Sequence, residues 1–188
     1  GIKGIEKVAK YEIPLFLDLK LYDIPNTVKK SLKNILSFKP AYTTLHVSGG
    51  SDMLKGCVEI KKNLNSSTNL IGVTILTSFD DQSINEIGIN GPVNKSVESL
   101  SRLAMKCGMD GIVCSPMEII KVKETFGPKL KLVVPGIRNN EENSDDQKRT
   151  LSAKEAIDNG ADIIVIGRPI TSAKSPSDAA REFHQSIK

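Results

Sequence analysis

Hydrophobic residues occur in short runs that alternate along the chain with segments of helical periodicity. The apolar runs predict six strands, at residues 14–20, 42–47, 70–76, 111–114, 131–134 and 162–166. The segments between them predict helices near residues 26–37, 52–64, 95–106, 116–125, 153–159 and 176–187. Residues 1–10 have the pattern of a helix end that leads directly into the first strand.

Local residue choices support two of these helices. Ser115 and Glu118, with a proline between them, provide the two polar residues of a capping box. Ser152 and Glu155 repeat this arrangement. Gly160 is suited to the end of the second of these helices, because glycine readily adopts the backbone conformation of a helix C-terminus.

The order of elements favours one fold class. Turns at residues 107–110 and 159–162 are nearly equivalent, so the chain repeats a βα unit, and alternating elements imply a parallel sheet covered by helices. A TIM (β/α)8 barrel takes about 250 residues, so 188 residues supply about six of its eight units. We therefore expect residues 1–188 to form a single α/β domain, a TIM (β/α)8 barrel that lacks its first two strands. A complete, six-stranded doubly wound sheet is the competing architecture.

Composition narrows the function classes. The net charge of +4 is mild and unclustered, which gives little support for nucleic-acid binding. The sequence has no apolar run of the roughly 18 residues that a membrane span needs. The three cysteines fit no metal-binding spacing, and their odd number favours free thiols in a reducing compartment, so we expect a cytoplasmic protein.

The first predicted strand carries the strongest chemical signal. Residues two apart on a strand share a face, so one face would carry Leu15, Leu17, Leu19 and Leu21, and the other Phe16, Asp18, Lys20 and Tyr22. We expect helices to cover the leucine face. Asp23 follows at the strand end. Burying charges together adds little net stability, so chemistry explains this pattern more easily than folding does. The alternative is a solvated edge strand with a surface ion pair.

Other candidate site residues follow later strands, where the active site of such a barrel lies. Gly167 and Arg168 follow the last strand, where backbone amides and a guanidinium suit a phosphate. Arg138 precedes a polar stretch, residues 139–150, of the kind that forms lids, binding loops or solvated insertions. Thr77 and Ser78 could contact a heterocycle. His46, alone at a strand end, is more typical of a structural histidine than of a proton-transfer group.

The segment Asp18-x-Lys20-x-x-Asp23-Ile24-Pro25-x-Thr27 resembles the signature of the orotidine 5′-monophosphate decarboxylases. The resemblance continues in order through residues 46–50, 76–78, 135–138, 145–147 and 166–170. It implies removal of CO2 from orotidine 5′-monophosphate to give UMP, the last step of pyrimidine biosynthesis, without a metal or organic cofactor. The shorter core Asp-x-Lys-x-x-Asp also occurs in sister (β/α)8 enzymes that act on 3-keto-hexulose phosphates.

The same resemblance implies residue roles. Lys20 would donate the proton to C6 of the pyrimidine, and Asp18 would lie beside the substrate carboxylate and orient Lys20. Asp23 and Thr27 would reach the neighbouring subunit's site, which makes the enzyme a homodimer with shared active sites. The remaining substrate contacts would be Thr77 and Ser78 to the pyrimidine, Gln147 to base and phosphate, and Arg138, Gly167 and Arg168 to the phosphate.

The chain also departs from the family pattern. The family's first strand supplies an aspartate that holds the ribose, and its second supplies a further lysine of the charge network; neither strand occurs here. The resemblance therefore implies that the complete protein, rather than these residues alone, carries the activity. Two alternatives stay open: a Mg²⁺-dependent keto-hexulose-phosphate decarboxylase or aldolase, and a non-catalytic phosphate-binding barrel.

Overall fold

A computed structural model of the protein describes residues 1–138 and 150–188. The strands are β1 (Phe16–Leu21), β2 (Tyr42–His46), β3 (Asn69–Val73), β4 (Gly111–Val113), β5 (Lys131–Val134) and β6 (Ile163–Ile164). The helices are α1 (Ile2–Ala9), α2 (Pro25–Leu36), α3 (Gly50–Asn63), α4 (Asp81–Glu86), α5 (Val93–Cys107), α6 (Ile119–Phe126), α7 (Ala153–Asp158), α8 (Arg168–Thr171) and α9 (Pro176–Ser186). None of the helices in the described ranges is long and apolar enough to span a membrane.

These elements agree closely with the sequence prediction. All six predicted strands are present, although every strand except β5 is shorter than predicted, β3 and β6 most of all. At Ser115 half of the capping box is formed, because Glu118 Oε2 accepts the Ser115 N–H at 2.6 Å but the buried Ser115 hydroxyl has no hydrogen-bond partner among the described residues; at Ser152 both halves are formed. The first of them caps a 3₁₀ turn, Pro116–Glu118, that leads into α6. The short helices α4 and α8 were not predicted.

The contacts divide the described chain into two compact units. The first comprises residues 1–73 and 100–111. In it β1, β2 and β3 are neighbours in that order and run parallel. Four apolar residues of α2 and four of α3 are buried on the helix faces beside this part of the sheet: Val28, Leu32, Ile35, Leu36, Met53, Leu54, Cys57 and Val58. Their burial contributes hydrophobic stabilisation to this unit, in which α2 and α3 pack against each other.

The second unit comprises residues 74–99 and 112–188. Its strands follow one another in the sheet in chain order, and β5 and β6 are parallel. Leu132, Val133 and Val134 of β5 are fully buried, whereas Lys131 at the start of the strand is exposed. Buried side chains from α6, α7 and α9 complete this core, among them Ile119, Val122, Phe126, Ala156 and Phe183.

One feature of the leucine face differs from expectation. Leu15, Leu17 and Leu21 are half-buried, but Leu19 is 42% exposed. The expectation that helices cover this face is therefore wrong at Leu19. The physical reason is that β1 pairs with β2 on one side, and that α1, the helix before it, contributes no buried residue.

Candidate active site

The first strand carries an ion pair near its C-terminal end. The Nζ of Lys20 lies 2.5 Å from Oδ2 of Asp18. The two side chains are 44% and 42% exposed. An ion pair this exposed contributes about 0–1 kcal/mol to stability. A contribution to folding stability therefore does not account for the pair. The position of the two charges at the C-terminal end of β1 is better explained by a role in binding or catalysis.

Lys20 interrupts the regular pairing of β1. Between its pairings with Thr43 and Leu45, β1 advances four residues while β2 advances two, so the strand bulges. Lys20 itself has a φ of 47°, in the left-handed region. Such a conformation costs a non-glycine residue about 1–3 kcal/mol. The expectation that residues 16, 18, 20 and 22 share one face by simple alternation is therefore wrong, because alternation does not continue through a bulge.

The hydroxyl of Thr44 in β2 bonds directly to the backbone of Lys20 and, through Asp18, to its side-chain ammonium. The backbone N–H of Lys20 donates to Thr44 Oγ1 at 2.8 Å. The same hydroxyl donates to Oδ1 of Asp18 at 2.7 Å. Asp18 accepts the Lys20 ammonium with its other oxygen, Oδ2. Thr44 is fully buried, so a residue of the core anchors an ion pair at the surface.

His46 and Tyr22 lie beside this ion pair. Their rings stand 5.4 Å apart between centroids, tilted by 46°. Burial lowers the pKa of His46 below its usual value, and the nearby ammonium of Lys20 lowers it further, while Asp18 opposes the shift. A histidine with a lowered pKa is neutral at pH 7. His46 therefore belongs electrostatically to the cluster of Asp18 and Lys20.

Asp23 and Thr27 lie at the beginning of α2. The carboxylate of Asp23 accepts a hydrogen bond from the N–H of Ile24 at 2.6 Å. Ile24 is the N-cap of α2, and Pro25 occupies its first position, where its fixed φ favours helix initiation. The Ile-Pro-Asn-Thr part of the motif is thus a helix start. It leaves the side chains of Asp23 and Thr27 exposed on the first unit.

Several predicted substrate contacts lie in the second unit. Thr77 and Ser78 form a turn before α4. Gly167, three residues after the end of β6, is the N-cap of α8, and its carbonyl accepts the N–H groups of Ile170 and Thr171 at 2.9 and 3.0 Å. A Cβ placed on Gly167 would meet nothing within 4 Å. The space beside the backbone of Gly167, just before the exposed Arg168, is therefore open.

Arg138 lies where the described chain stops before residue 139. Its N–H donates to the carbonyl of Leu151 at 3.0 Å, and the Leu151 N–H donates to Gly136 at 3.3 Å. Ile137 and Leu151 form a parallel bridge between these two bonds. Gln147, predicted to contact base and phosphate, lies outside the described residues.

A family model for the orotidine 5′-phosphate decarboxylase / HUMPS family matches residues 1–183. The chain belongs to this family. An orotidine 5′-phosphate decarboxylase of Wolbachia pipientis subsp. Culex pipiens is 44% identical over 187 residues, which span 100% of this chain and 81% of that protein. One from Ehrlichia canis is 47% identical over 187 residues, with coverage of 100% and 81%.

The fold comparison agrees with the family assignment. The crystal structure of orotidine 5′-phosphate decarboxylase from Lactobacillus acidophilus matches with a TM-score of 0.84 at 36% identity. The match covers 100% of this chain and 81% of that one. Together with the six strands and the helices between them, it confirms the predicted α/β barrel class.

Thr44 is the member of the site that sequence reasoning missed. It follows Thr43 in an apolar strand, and threonine is common in strands because its branched side chain suits a pleated surface. The sequence offered one usable signal, since Thr44 lies two residues before His46. Residues so spaced share a face of a strand, which aligns the hydroxyl with the strand-end histidine.

Proposed function

We propose that the complete protein catalyses decarboxylation of orotidine 5′-monophosphate to UMP in pyrimidine biosynthesis. The observation that carries this proposal is the charged end of β1. There the Lys20 ammonium is held 2.5 Å from Asp18, and Thr44 anchors both residues to β2. Membership of the orotidine 5′-phosphate decarboxylase / HUMPS family supports it. The names of the relatives with more than 40% identity support it further.

The proposed reaction needs a fixed positive charge. When the bond between C6 and the carboxylate breaks, CO2 leaves and the electron pair remains on C6 of the pyrimidine. The ammonium of Lys20 stabilises that negative charge and then donates a proton to C6, and water returns the proton to the amine. Preorganised charges of this kind are usually the largest catalytic term, because the protein does not have to reorient when the charge develops.

Asp18 has two proposed tasks. Its Oδ2 fixes the direction of the Lys20 ammonium, which limits the number of positions that the proton donor can take. Its negative charge also lies beside the carboxylate of the bound substrate. Repulsion between the two anions is relieved when the substrate loses CO2, so the interaction disfavours the bound substrate more than the transition state.

The remaining proposed contacts bind the pyrimidine and the phosphate of the substrate. Thr77 and Ser78 contact the pyrimidine, Gln147 contacts base and phosphate, and Arg138, Gly167 and Arg168 bind the phosphate. Because the phosphate is remote from the reacting bond, its binding energy serves to position the base. Asp23 and Thr27 serve the site of a partner subunit, so the functional unit is a homodimer whose active sites are shared.

The proposal treats residues 1–188 as a single domain of a cytoplasmic enzyme. The free thiols of Cys57, Cys107 and Cys114 fit a reducing compartment. Burial raises the pKa of Cys57 to about 11, against the opposing charge of Lys29, and so keeps that thiol unreactive. Thiols of this kind are inert and persist where disulfides are rare.

Conversion of orotidine 5′-monophosphate by the complete protein in excess EDTA tests the function. We expect substrate loss and UMP formation at the same rate with and without EDTA. Turnover of a 3-keto-hexulose phosphate that EDTA abolishes and Mg²⁺ restores would assign the protein to the sister activity instead. Tight binding of UMP with no turnover of either substrate would make it a phosphate-binding protein.

A further inference from the structure

We propose that Thr44 is a positioning residue that sets the direction of the Lys20 ammonium through Asp18. The catalytic part of this inference rests on the proposed function, whereas the geometric part does not. The three residues form a closed circuit of hydrogen bonds: Lys20 N–H to Thr44 Oγ1, Thr44 Oγ1 to Asp18 Oδ1, and Lys20 Nζ to Asp18 Oδ2.

The chemistry of the groups fixes the direction of each bond. A backbone N–H can only donate and an ionised carboxylate can only accept. The single proton of the Thr44 hydroxyl must therefore point to Asp18, because its oxygen accepts from Lys20. Each oxygen of Asp18 then has a separate partner: Oδ1 accepts the buried Thr44 hydroxyl, and Oδ2 accepts the Lys20 ammonium.

Burial makes Thr44 the rigid part of the circuit. Thr44 is 0% exposed, whereas the side chains of Asp18 and Lys20 are 42% and 44% exposed. A β-branched side chain in a packed strand has little rotamer freedom. The exposed carboxylate would otherwise rotate and share its oxygens with water, and the ammonium would follow it.

The bulge explains why a hydroxyl is needed at this position. Lys20 has left-handed backbone geometry where the pairing of β1 with β2 shifts register. Its N–H bonds to a side chain of β2, at Thr44, where a regular ladder would offer a backbone carbonyl. Thr44 thus stabilises the strained backbone that carries the lysine as well as the carboxylate that orients its head group.

Thr43 provides a matched control. It is the preceding residue of β2, is also 0% exposed, and its hydroxyl donates to the backbone carbonyl of Leu17 at 3.0 Å. That bond involves no charged group. Replacing Thr43 by valine removes a buried hydroxyl from the same strand without touching the circuit.

The test compares Thr44→Val, Thr44→Ser and Thr43→Val in the complete protein. We expect Thr44→Val to lower kcat by about 10- to 100-fold with less than about a threefold change in KM, the size expected when a catalytic group is misplaced. Thr44→Ser should restore kcat to within about threefold of wild type, since it keeps the hydroxyl. Thr43→Val should lower the melting temperature but leave kcat within about threefold. If Thr44→Val does not fold, Thr44→Ala takes its place.

A second readout is independent of turnover. Each variant is treated with a trace of acetic anhydride. Mass spectrometry then gives the ratio of acetylation at Lys20 to acetylation at the exposed Lys39 of the same protein. We expect Thr44→Val to raise this ratio at pH 7 by at least about threefold, because the Lys20 nitrogen is then no longer held 2.5 Å from Asp18 and is more accessible to the reagent. Thr44→Ser and Thr43→Val should leave it unchanged.

The outcomes separate the two proposals. A raised labelling ratio in a protein that does not decarboxylate orotidine 5′-monophosphate would sustain the positioning role and overturn the proposed function. Normal decarboxylation with kcat and labelling of Thr44→Val at wild-type values would overturn the positioning role alone. Equal losses of kcat in Thr43→Val and Thr44→Val would also overturn it, since both would then act through packing.

Discussion

Asp110 holds the ammonium of Lys61 with both carboxylate oxygens, at 2.7 and 2.6 Å. Its Oδ2 also accepts the backbone N–H of Leu70 at 2.7 Å. A similar arrangement recurs in the second unit, where Oδ2 of Asp162 accepts both the ammonium of Lys123 at 2.9 Å and the N–H of Leu132 at 2.7 Å. Each aspartate lies directly before a strand, and it accepts a backbone N–H from the strand that precedes that one in the chain. The near-equivalent turns of the sequence thus form equivalent clamps.

The two clamps predict a ranked pair of stability losses. Asp110 is 27% exposed and Asp162 is 42% exposed. Asp110→Asn should cost about 1.5–3 kcal/mol, the range for hydrogen bonds to charged groups. Asp162→Asn should cost about 1 kcal/mol or less after discounting for solvent screening. Urea unfolding measures both, and an equal or larger loss for Asp162→Asn would contradict the ranking.

His46 predicts a pH dependence of stability. Burial and the charge of Lys20 lower its pKa in the folded protein, so the unfolded chain binds more protons as the pH falls through about 6.5. The free energy of unfolding should therefore decrease from pH 7.5 toward pH 5.5, and His46→Gln should flatten that slope.

Asp162 affects stability in a separate pH range. Burial raises its pKa, but the hydrogen bonds from Lys123 and Leu132 outweigh this and lower it overall, so the stability that Asp162 contributes is lost only below about pH 4.

Lys20→Ala should abolish decarboxylation by the complete protein while leaving UMP binding largely intact. General acid catalysis typically contributes about 10²–10⁴-fold, and electrostatic stabilisation adds to that. Lys39→Ala is the control, because Lys39 is also an exposed lysine with left-handed geometry, at φ 49°. Retention of more than about a tenth of wild-type turnover by Lys20→Ala would rule out its assigned role.

Arg168→Ala should act on affinity for the phosphate. We expect the apparent affinity for orotidine 5′-monophosphate to fall about 10- to 100-fold, the value of a charged hydrogen bond, and that for the phosphate-free nucleoside to change little. Arg181→Ala is the matched control, since Arg181 is an exposed arginine of α9 that pairs with Asp178 at 2.7 Å. Equal losses for both substrates would place Arg168 outside the phosphate site.

The proposed sharing of active sites between subunits predicts complementation between inactive variants. Asp23→Ala and Lys20→Ala homodimers should each be nearly inactive. In a mixed dimer one site carries both lesions and the other carries none. After subunit exchange at equal concentrations, activity should approach about a quarter of wild type, since half the dimers are mixed and each has one intact site of two. Absence of recovery despite demonstrated exchange would mean that Asp23 acts within its own subunit.

Sequence patterns predicted the elements better than the details of the site. Strand β5 and the capping box at Ser152 follow from local signals, which is why they were predictable, and the same signal at Ser115 produced the Glu118 half of its box. Helix α4 has a capping box too, formed by Asp80 and Ser83, but the second position holds serine in place of the usual glutamate or glutamine.

The bulge at Lys20 had no local signal at all. Glycine and asparagine are the residues that usually mark left-handed geometry, and position 20 carries neither. The contact that accompanies it comes from Thr44, 24 residues further along the chain. Such long-range contacts override the strand pattern, so the faces of β1 could be assigned only from the fold.

The left-handed lysine has a consequence for protein engineering. Stability-guided redesign of β1 would favour glycine or asparagine at position 20, because either adopts a φ near 47° with less strain than lysine does. The resulting variant would gain melting temperature but lose the ammonium that the proposed function assigns to proton donation. Any optimisation of this protein for thermal tolerance should therefore hold position 20 fixed and seek its gains elsewhere.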